Sequence, residues 1–190
     1  YMKNTKNGGS TQATFSLSKP LTDTWGWMFG YTYTNADEVN PLTSSRAISN
    51  WSNKAIFDPN SDEAATSNYE IKDRFTGSLT FRKAFDGNYD TNAALFYEGR
   101  SGAPYSWRYL NDMNGDGYTN DLLYVPKAPG DVIFQGGATM EAAFFDWLGR
   151  TPELAQVAGG VVERNGFRNP WVNNFDLRIS QELPGLFKGR

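Results

Sequence analysis

The residues best suited to chemistry in this sequence form the run D-M-N-G-D-G at positions 112–117, followed by Asn120 and Asp121. The D-x-N-x-D-G spacing puts side-chain oxygens at alternate positions and a glycine at the sharp bend, as in the first half of a calcium-binding loop. The second half differs, because Leu123 stands where such a loop carries a bidentate glutamate. Two interpretations follow: a surface loop of Asx turns, or a calcium site with the ligands Asp112, Asn114, Asp116 and Asp121.

Catalytic chemistry is not indicated elsewhere. The chain contains no cysteine and no histidine, which excludes thiol nucleophiles, Ser-His-Asp triads, Cys/His zinc sites and disulfides. No G-x-S-x-G, P-loop or G-x-G-x-x-G motif is present. Glu98 shares a strand face with Arg100, and Asp176 with Arg178, so a glycosidase pair of carboxylates is conceivable. Ion pairs lining a wet interior are the preferred interpretation, and we expect no enzyme.

Composition limits the remaining classes of protein. The 190 residues carry 18 Lys and Arg against 21 Asp and Glu, a net charge of −3, which argues against a nucleic-acid-binding protein. Mean hydropathy is −0.58 although aromatic residues make up 15% of the chain. No apolar run approaches the ~18 residues of a membrane-spanning helix. A membrane β-barrel stays possible, and the position of the aromatic rings becomes the deciding question.

Five strands are predicted from the alternation of apolar and polar residues. In the second strand the aromatics at 25, 27, 29, 31 and 33 all fall on one face. An Asp-Gly turn at 85–88 indicates a hairpin between the third and fourth strands. The predicted strands are 12–18, 25–34, 73–83, 89–99 and 172–183.

The connections between these strands alternate in length. Those at 19–23, at 84–88 and after 183 are short, whereas 35–72 and 100–170 are long. Outer-membrane barrels combine short periplasmic turns with long extracellular loops and place aromatic girdles at both interfaces. The alternative is a core of stacked aromatics in a two-sheet sandwich. On the barrel interpretation, the membrane-interface aromatics are Trp25, Trp27, Tyr31, Tyr33, Tyr97 and Trp171.

The fold class expected is therefore all-β: an antiparallel transmembrane β-barrel segment with two long extracellular loops. Five strands, or six if 105–110 counts, are fewer than the ~8 of the smallest closed barrel. We expect residues 1–190 to be a single partial domain of a larger barrel, without a signal peptide, and 189–190 to lie within a periplasmic turn. The second long loop should contain short helices at Met140, Ala143, Phe144 and Trp147, ending at Gly149, and at Leu154, Val157, Ala158 and Val161, starting at Pro152.

Several ordered motifs resemble the late barrel region of Oar-like TonB-dependent outer-membrane transporters. They are FYEGRSG-PYS, NGDG, NDLLYVP and RNPWVN-FDLR-SQ, and the resemblance covers most of residues 75–190. The resemblance implies a Gram-negative outer-membrane barrel of about 22 strands with a plugged lumen. It also implies energy from the TonB-ExbB-ExbD complex, delivered through a plug that this stretch does not include, nor does it include the closing strand.

The expected function is uptake of a solute across the outer membrane, with lipid around the barrel and no nucleic acid as partner. The aromatic and polar residues of the second long loop are the candidate solute contacts: Trp107, Arg108, Tyr109, Asp112, Asn114, Asp116 and Tyr118. The alternative is a secreted soluble β-sandwich that binds glycans and uses the NGDG loop as a structural calcium site. A third possibility is a structural or adhesin-like barrel without transport.

Overall fold

The computed structural model describes residues 4–86 and 89–185. The protein is mostly β, with 41% strand and 13% helix. The chain divides into two compact units. We call Ser10–Asn35, Ile71–Gly102 and the residues from Asn169 onward the strand unit. The loop unit comprises Ala36–Glu70, Ala103–Arg168 and the residues up to Gly9.

The strand unit is an antiparallel sheet in which the long strands follow one another in the order β1-β2-β4-β5-β10. No sheet closes on itself among the described residues, so the antiparallel β class is confirmed while a barrel is not shown. The strands are β1 (Gly9–Lys19), β2 (Trp25–Glu38), β4 (Asp73–Asp86), β5 (Tyr89–Arg100) and β10 (Val172–Gln181).

The strand register gives the sheet one face of large apolar side chains and an opposite face that mixes polar and apolar side chains. Trp27 pairs with Leu79, Leu79 with Leu95, and Leu95 with Leu177, so one row of large side chains crosses four strands. The row one residue along belongs to the opposite face, because successive side chains alternate. It consists of Met28, Ser78, Phe96 and Asp176. The predicted alternation is confirmed.

The apolar face of the sheet is open to the surroundings. The exposed fractions are 40% for Leu79, 39% for Leu95, 68% for Leu177 and 66% for Phe175. Rings pack along this face, with centroids 4.8 Å apart for Trp25 and Phe81 and also for Tyr97 and Phe175. The sheet thus presents a continuous band of apolar and aromatic side chains that nothing in the described residues buries.

The ion pair on the polar face differs from the one expected. Arg74 Nε lies 2.6 Å from Glu98 Oε1, a contact between neighbouring strands. Arg74 and Glu98 belong to diagonal positions of the β4–β5 ladder, within reach of long side chains. The expected same-strand pairs with Arg100 and Arg178 are therefore wrong for the described side chains, and Asp176 instead accepts a hydrogen bond from Asn174 Nδ2.

The loop unit has its own hydrophobic core and its own short elements. Val125 and Leu154 are fully buried at its centre, with Leu122, Leu148, Val162 and Phe167 around them. Strand pairs β6–β9 and β7–β8 form two small sheets, and β3 pairs with Asp37 and Glu38. The elements are α1 (Ala47–Ser52), β3 (Ala65–Thr66), β6 (Pro104–Tyr105), β7 (Tyr124–Val125), α2 (Gly137–Gly149), α3 (Pro152–Ala155), β8 (Gly160–Val161) and β9 (Phe167–Arg168).

The sequence predicts two helices in this unit and an additional strand at 105–110. The first predicted helix is confirmed and ends at Gly149, and the second starts at Pro152 as expected. The second helix is shorter than predicted, because Gly159 adopts φ +87 and donates its N–H to Val125 O at 2.7 Å. Val161 therefore lies in β8. Residues 105–110 do not extend the large sheet, since Tyr105 pairs with Phe167.

Two expectations lie outside the described residues: the centre of the hairpin turn at Gly87 and Asn88, and the turn at 189–190.

The fifth predicted strand ends at Gln181, two residues earlier than predicted, while the second predicted strand continues to Glu38. Within 4–86 and 89–185, no helix combines the length and apolar character needed to span a membrane.

Candidate functional site

Residues 120–123 hold the candidate site together. On one side, their backbone forms two hydrogen bonds with the backbone of Ile56. Ile56 N donates to Asn120 O at 3.0 Å, and Leu122 N donates to Ile56 O at 3.2 Å. On the other side, Tyr109 N donates to Asp121 O at 2.9 Å. The two long connections of the sequence thus meet in one hydrogen-bonded layer, which brings their polar side chains into one neighbourhood.

The 112–121 loop is closed by carboxylates that accept backbone hydrogens. Asp112 Oδ1 accepts from Gly115 N at 2.7 Å and Asp116 N at 3.2 Å, and its Oδ2 accepts from Gly117 N at 2.8 Å. Asp121 Oδ2, on a buried residue, accepts from Met113 N at 2.7 Å. Glycines 115 and 117 have positive φ, as the tight turns require. This network is the one that an Asx-turn loop needs.

Calcium binding by this loop stays a prediction. Asn114 Oδ1 and Asp116 Oδ1 each accept one backbone hydrogen, at 2.9 Å in both cases. A carboxylate has about four acceptor directions, so Asp112 and Asp116 have capacity for further contacts. Across residues 4–86 and 89–185, no group of at least three acidic, histidine or cysteine side chains is arranged around a metal position.

Asp112→Asn is expected to destabilise the loop unit by about 1–3 kcal/mol, because the amide nitrogen cannot accept one of the bonds that the carboxylate oxygens accept now. Urea unfolding of the two proteins measures the difference. Asp116→Asn is the matched control, since its Oδ1 accepts only the Tyr118 N–H. Repeating the unfolding with calcium and with a chelator also tests the metal, which should stabilise the unsubstituted protein alone. Equal stability of both variants in both buffers would contradict the anchoring role of Asp112.

The predicted solute contacts differ in their burial and in what they pack against. Trp107 packs edge-on against Trp147, with ring centroids 5.5 Å apart, and lies partly buried against the core of the loop unit. Tyr109 donates its hydroxyl to Tyr124 O at 3.3 Å, and partial burial raises its pKa. Tyr118 is half-buried within the 112–121 loop, whereas Arg108 is exposed. Arg108 is therefore the member of the W-R-Y run that is free to meet a solute.

A cleft of about 790 Å³ opens in the loop unit, within the size range of ligand sites. Its apolar lining includes Ile56 and Leu122, and its charged lining includes Asp37, Lys54 and Arg164. Burial lowers the pKa of Lys54 to about 8, and the nearby Arg164 charge adds to this effect. The cleft thus combines apolar surface with charges of both signs.

Two buried ionic groups stabilise the segments around the cleft. Glu70, 4% exposed, pairs with Arg168 through Oε1 and accepts the Ala36 N–H through Oε2 at 2.5 Å. Arg164, 8% exposed, donates to Val39 O at 2.7 Å and to Glu38 O. Burial lowers the pKa of Arg164, with the Glu38 charge opposing the change.

Sequence reasoning missed the roles of Lys54, Glu70, Arg164 and Arg168. Glu70 and Arg168 are 98 positions apart, and no spacing rule links such distant residues. The one available signal was Arg168 as the first residue of the RNPWVN motif, and that motif says nothing about an ion pair.

Scans against protein-family models, curated proteins and solved structures give no match for this chain. The resemblance to Oar-like transporters therefore rests on the motifs alone. Function must be argued from the strand unit and the loop unit themselves.

Proposed function

We propose that this chain forms part of the wall and of the solute-binding loops of a TonB-dependent transporter in the outer membrane. The observation that carries the proposal is the exposed apolar face of the sheet. Paired apolar side chains of β2, β4, β5 and β10 form this face as rows that run across the four strands. A lipid bilayer would bury that face, as it does in outer-membrane barrels.

The dimensions of this face suit a bilayer. Trp25 to Tyr33 covers eight residue steps of β2, which is ~27 Å along a strand at ~3.4 Å per residue. A strand tilt of ~40° reduces this to a height of ~20 Å, comparable to the ~25 Å apolar band of membrane barrels. Aromatic rings stand near both ends of the face, with Trp25 beside Phe81 and Tyr31 beside Phe75. Amphipathic rings favour the two membrane interfaces.

The opposite face supports the same proposal, because its charged and hydroxyl side chains suit an aqueous lumen. Arg74 and Glu98 form their ion pair there, and Thr76 stands directly opposite Glu98. The polar groups on this face would be costly in lipid and ordinary in water. A sheet with one lipid-like and one water-like face is the repeating unit of a membrane barrel.

Transport is proposed from the resemblance together with the loop unit. A TonB-dependent transporter captures its solute at outer loops, and the TonB-ExbB-ExbD complex then acts on the plug to admit it. In this proposal the cleft of the loop unit supplies part of the capture surface. The wall and the loops take no part in bond making or breaking.

The test uses the full protein as the cell produces it. Membranes are separated by density and the protein is located by antibody, and uptake of candidate solutes is compared with and without the proton-motive force. Outer-membrane location with uptake that stops when the force is collapsed is the expected result. Outer-membrane location without energised uptake would instead support the structural barrel.

The soluble glycan-binding sandwich predicts a different outcome. Such a protein would be secreted, monomeric without detergent, and able to bind polysaccharide. A sandwich needs a second sheet over its apolar face, and the small sheets β6–β9 and β7–β8 each comprise only two-residue strands. Recovery of soluble monomer without detergent would contradict the transporter proposal.

A further inference from the structure

A second and smaller pocket of the loop unit, about 270 Å³ in volume, is strongly basic. Its lining includes three cationic side chains and not one carboxylate, in contrast to the mixed charges of the larger cleft. Neutral polar groups complete the lining, among them Ser106 and Asn68. We call this site the basic pocket; its cations are Lys54, Arg108 and Arg164.

The fold brings these three cations together from three distant parts of the chain. Asn120, 1% exposed, donates its Nδ2 to Lys54 O at 2.8 Å and so fixes the turn after α1. Arg108 pairs with Leu122 in an antiparallel bridge two residues further along. Arg164 follows Val162, which donates its N–H to Leu123 O at 3.0 Å. The residues around 120–123 therefore set the position of all three.

The positive charge of the basic pocket is not neutralised within the described residues. Neither the Lys54 ammonium nor the Arg108 guanidinium takes part in any of the ion pairs found there. Arg164 donates to two carbonyl oxygens, which satisfy hydrogen bonds but carry no full charge. Clustered like charges repel one another, so the pocket gains most from a bound anion.

The carboxylates whose charges act on Lys54 and Arg164 lie outside the lining of the basic pocket. Glu38 Oε1 accepts the Asn68 N–H at 3.0 Å, and Asp62 Oδ2 accepts the Thr5 hydroxyl at 3.2 Å. Glu63 is exposed and, like Asp62, acts on Lys54 only through its field. These acids lessen the repulsion without occupying the pocket.

We propose that the basic pocket binds an oxyanion group, a phosphate or a carboxylate, carried by a larger molecule. The volume is slightly below the ~300–1,000 Å³ of whole-ligand sites, which suits one charged group of a solute whose remainder stays outside. Guanidinium groups bind both oxyanions through paired N–H donors, and an ammonium adds a point charge. If the protein transports a solute as proposed above, that solute should carry a phosphate or a carboxylate. This part of the inference rests on the proposed function.

Titration calorimetry with inorganic phosphate and with citrate tests the pocket in the detergent-solubilised protein. Saturable binding of one anion per chain is expected. Arg108→Gln and Lys54→Gln should each weaken it roughly tenfold, because each removes a charged hydrogen-bond donor. Preference for phosphate or for citrate identifies which oxyanion the pocket selects.

Arg150→Gln is the matched control, since Arg150 is an exposed cation of the same unit that pairs with Asp146. It should leave binding unchanged, and Lys54→Arg should retain binding because it keeps the charge. Absence of saturable binding of both probes, or equal binding by the two glutamine variants and the unsubstituted protein, would overturn the proposal.

The protonation of Lys54 supplies a second readout. Its pKa, about 8 in the free protein, should rise on saturation with anion, because a neighbouring negative charge favours the ammonium form. Amine labelling across a pH series, with Lys127 as the exposed reference lysine, measures the change. An unmoved Lys54 profile at saturating anion would place binding elsewhere. Neither measurement needs membrane transport, so failure here and failure of uptake are distinguishable.

Discussion

Under the transporter proposal, Leu79→Lys is expected to remove most of the protein from the outer membrane. Leu79 stands in the middle of the apolar face, between Trp27 and Leu95 in the neighbouring strands. A lysine facing lipid near the bilayer midplane costs about 2–4 kcal/mol in a barrel. Quantification of the folded protein in outer-membrane fractions measures the loss.

Ser78→Lys is the control, because Ser78 is the preceding residue of the same strand and faces the polar side. It introduces the same charge at nearly the same height and should assemble normally. The pair also separates the proposals, since Leu79 is 40% exposed and a lysine at such a position in water costs little. Normal assembly of both variants would contradict lipid contact at this face.

The large sheet could be predicted because the alternation of apolar and polar residues that indicates a strand is visible within each short stretch of sequence. Alternation in β2 depends on neighbouring residues, and the register only extends the same pattern across strands. Strand ends were less predictable, since the continuation of β2 to Glu38 depends on pairing with Ala65 in a two-residue strand. Such a short strand has no periodicity of its own.

The site could be predicted only in part, because its parts meet through tertiary contacts. The D-x-N-x-D-G turns were visible in the sequence, and their carboxylates do accept the backbone hydrogens that such turns provide. The run at 107–109 gave no indication that Trp107 would pack against a core while Arg108 lines a basic pocket. The partners Lys54 and Arg164 each lie more than 50 positions from Arg108 in the sequence, so only the assembled fold reveals them.

Glu70→Gln is expected to destabilise the loop unit by about 3–5 kcal/mol, the cost of removing one partner of a buried ion pair. The glutamine oxygen can still accept the Ala36 N–H, but the Arg168 charge loses its partner. Arg168 Nη1 is already buried without a hydrogen-bond partner, so no alternative contact is at hand. Hydrogen exchange of the 103–168 segment measures the effect locally, without unfolding of the strand unit.

Two further variants identify the cause of that loss. Asp146→Asn breaks an exposed pair, with both side chains at least 70% exposed, and should cost less than about 0.5 kcal/mol. If the unpaired charge is the cause, Glu70→Gln combined with Arg168→Met should be more stable than Glu70→Gln alone, because the methionine buries no charge. A double variant no more stable than the single one would assign the loss to packing instead. Recovery would assign the loss to the unpaired Arg168 charge, whose partner Glu70 lies 98 positions away in the sequence and could not be found from spacing.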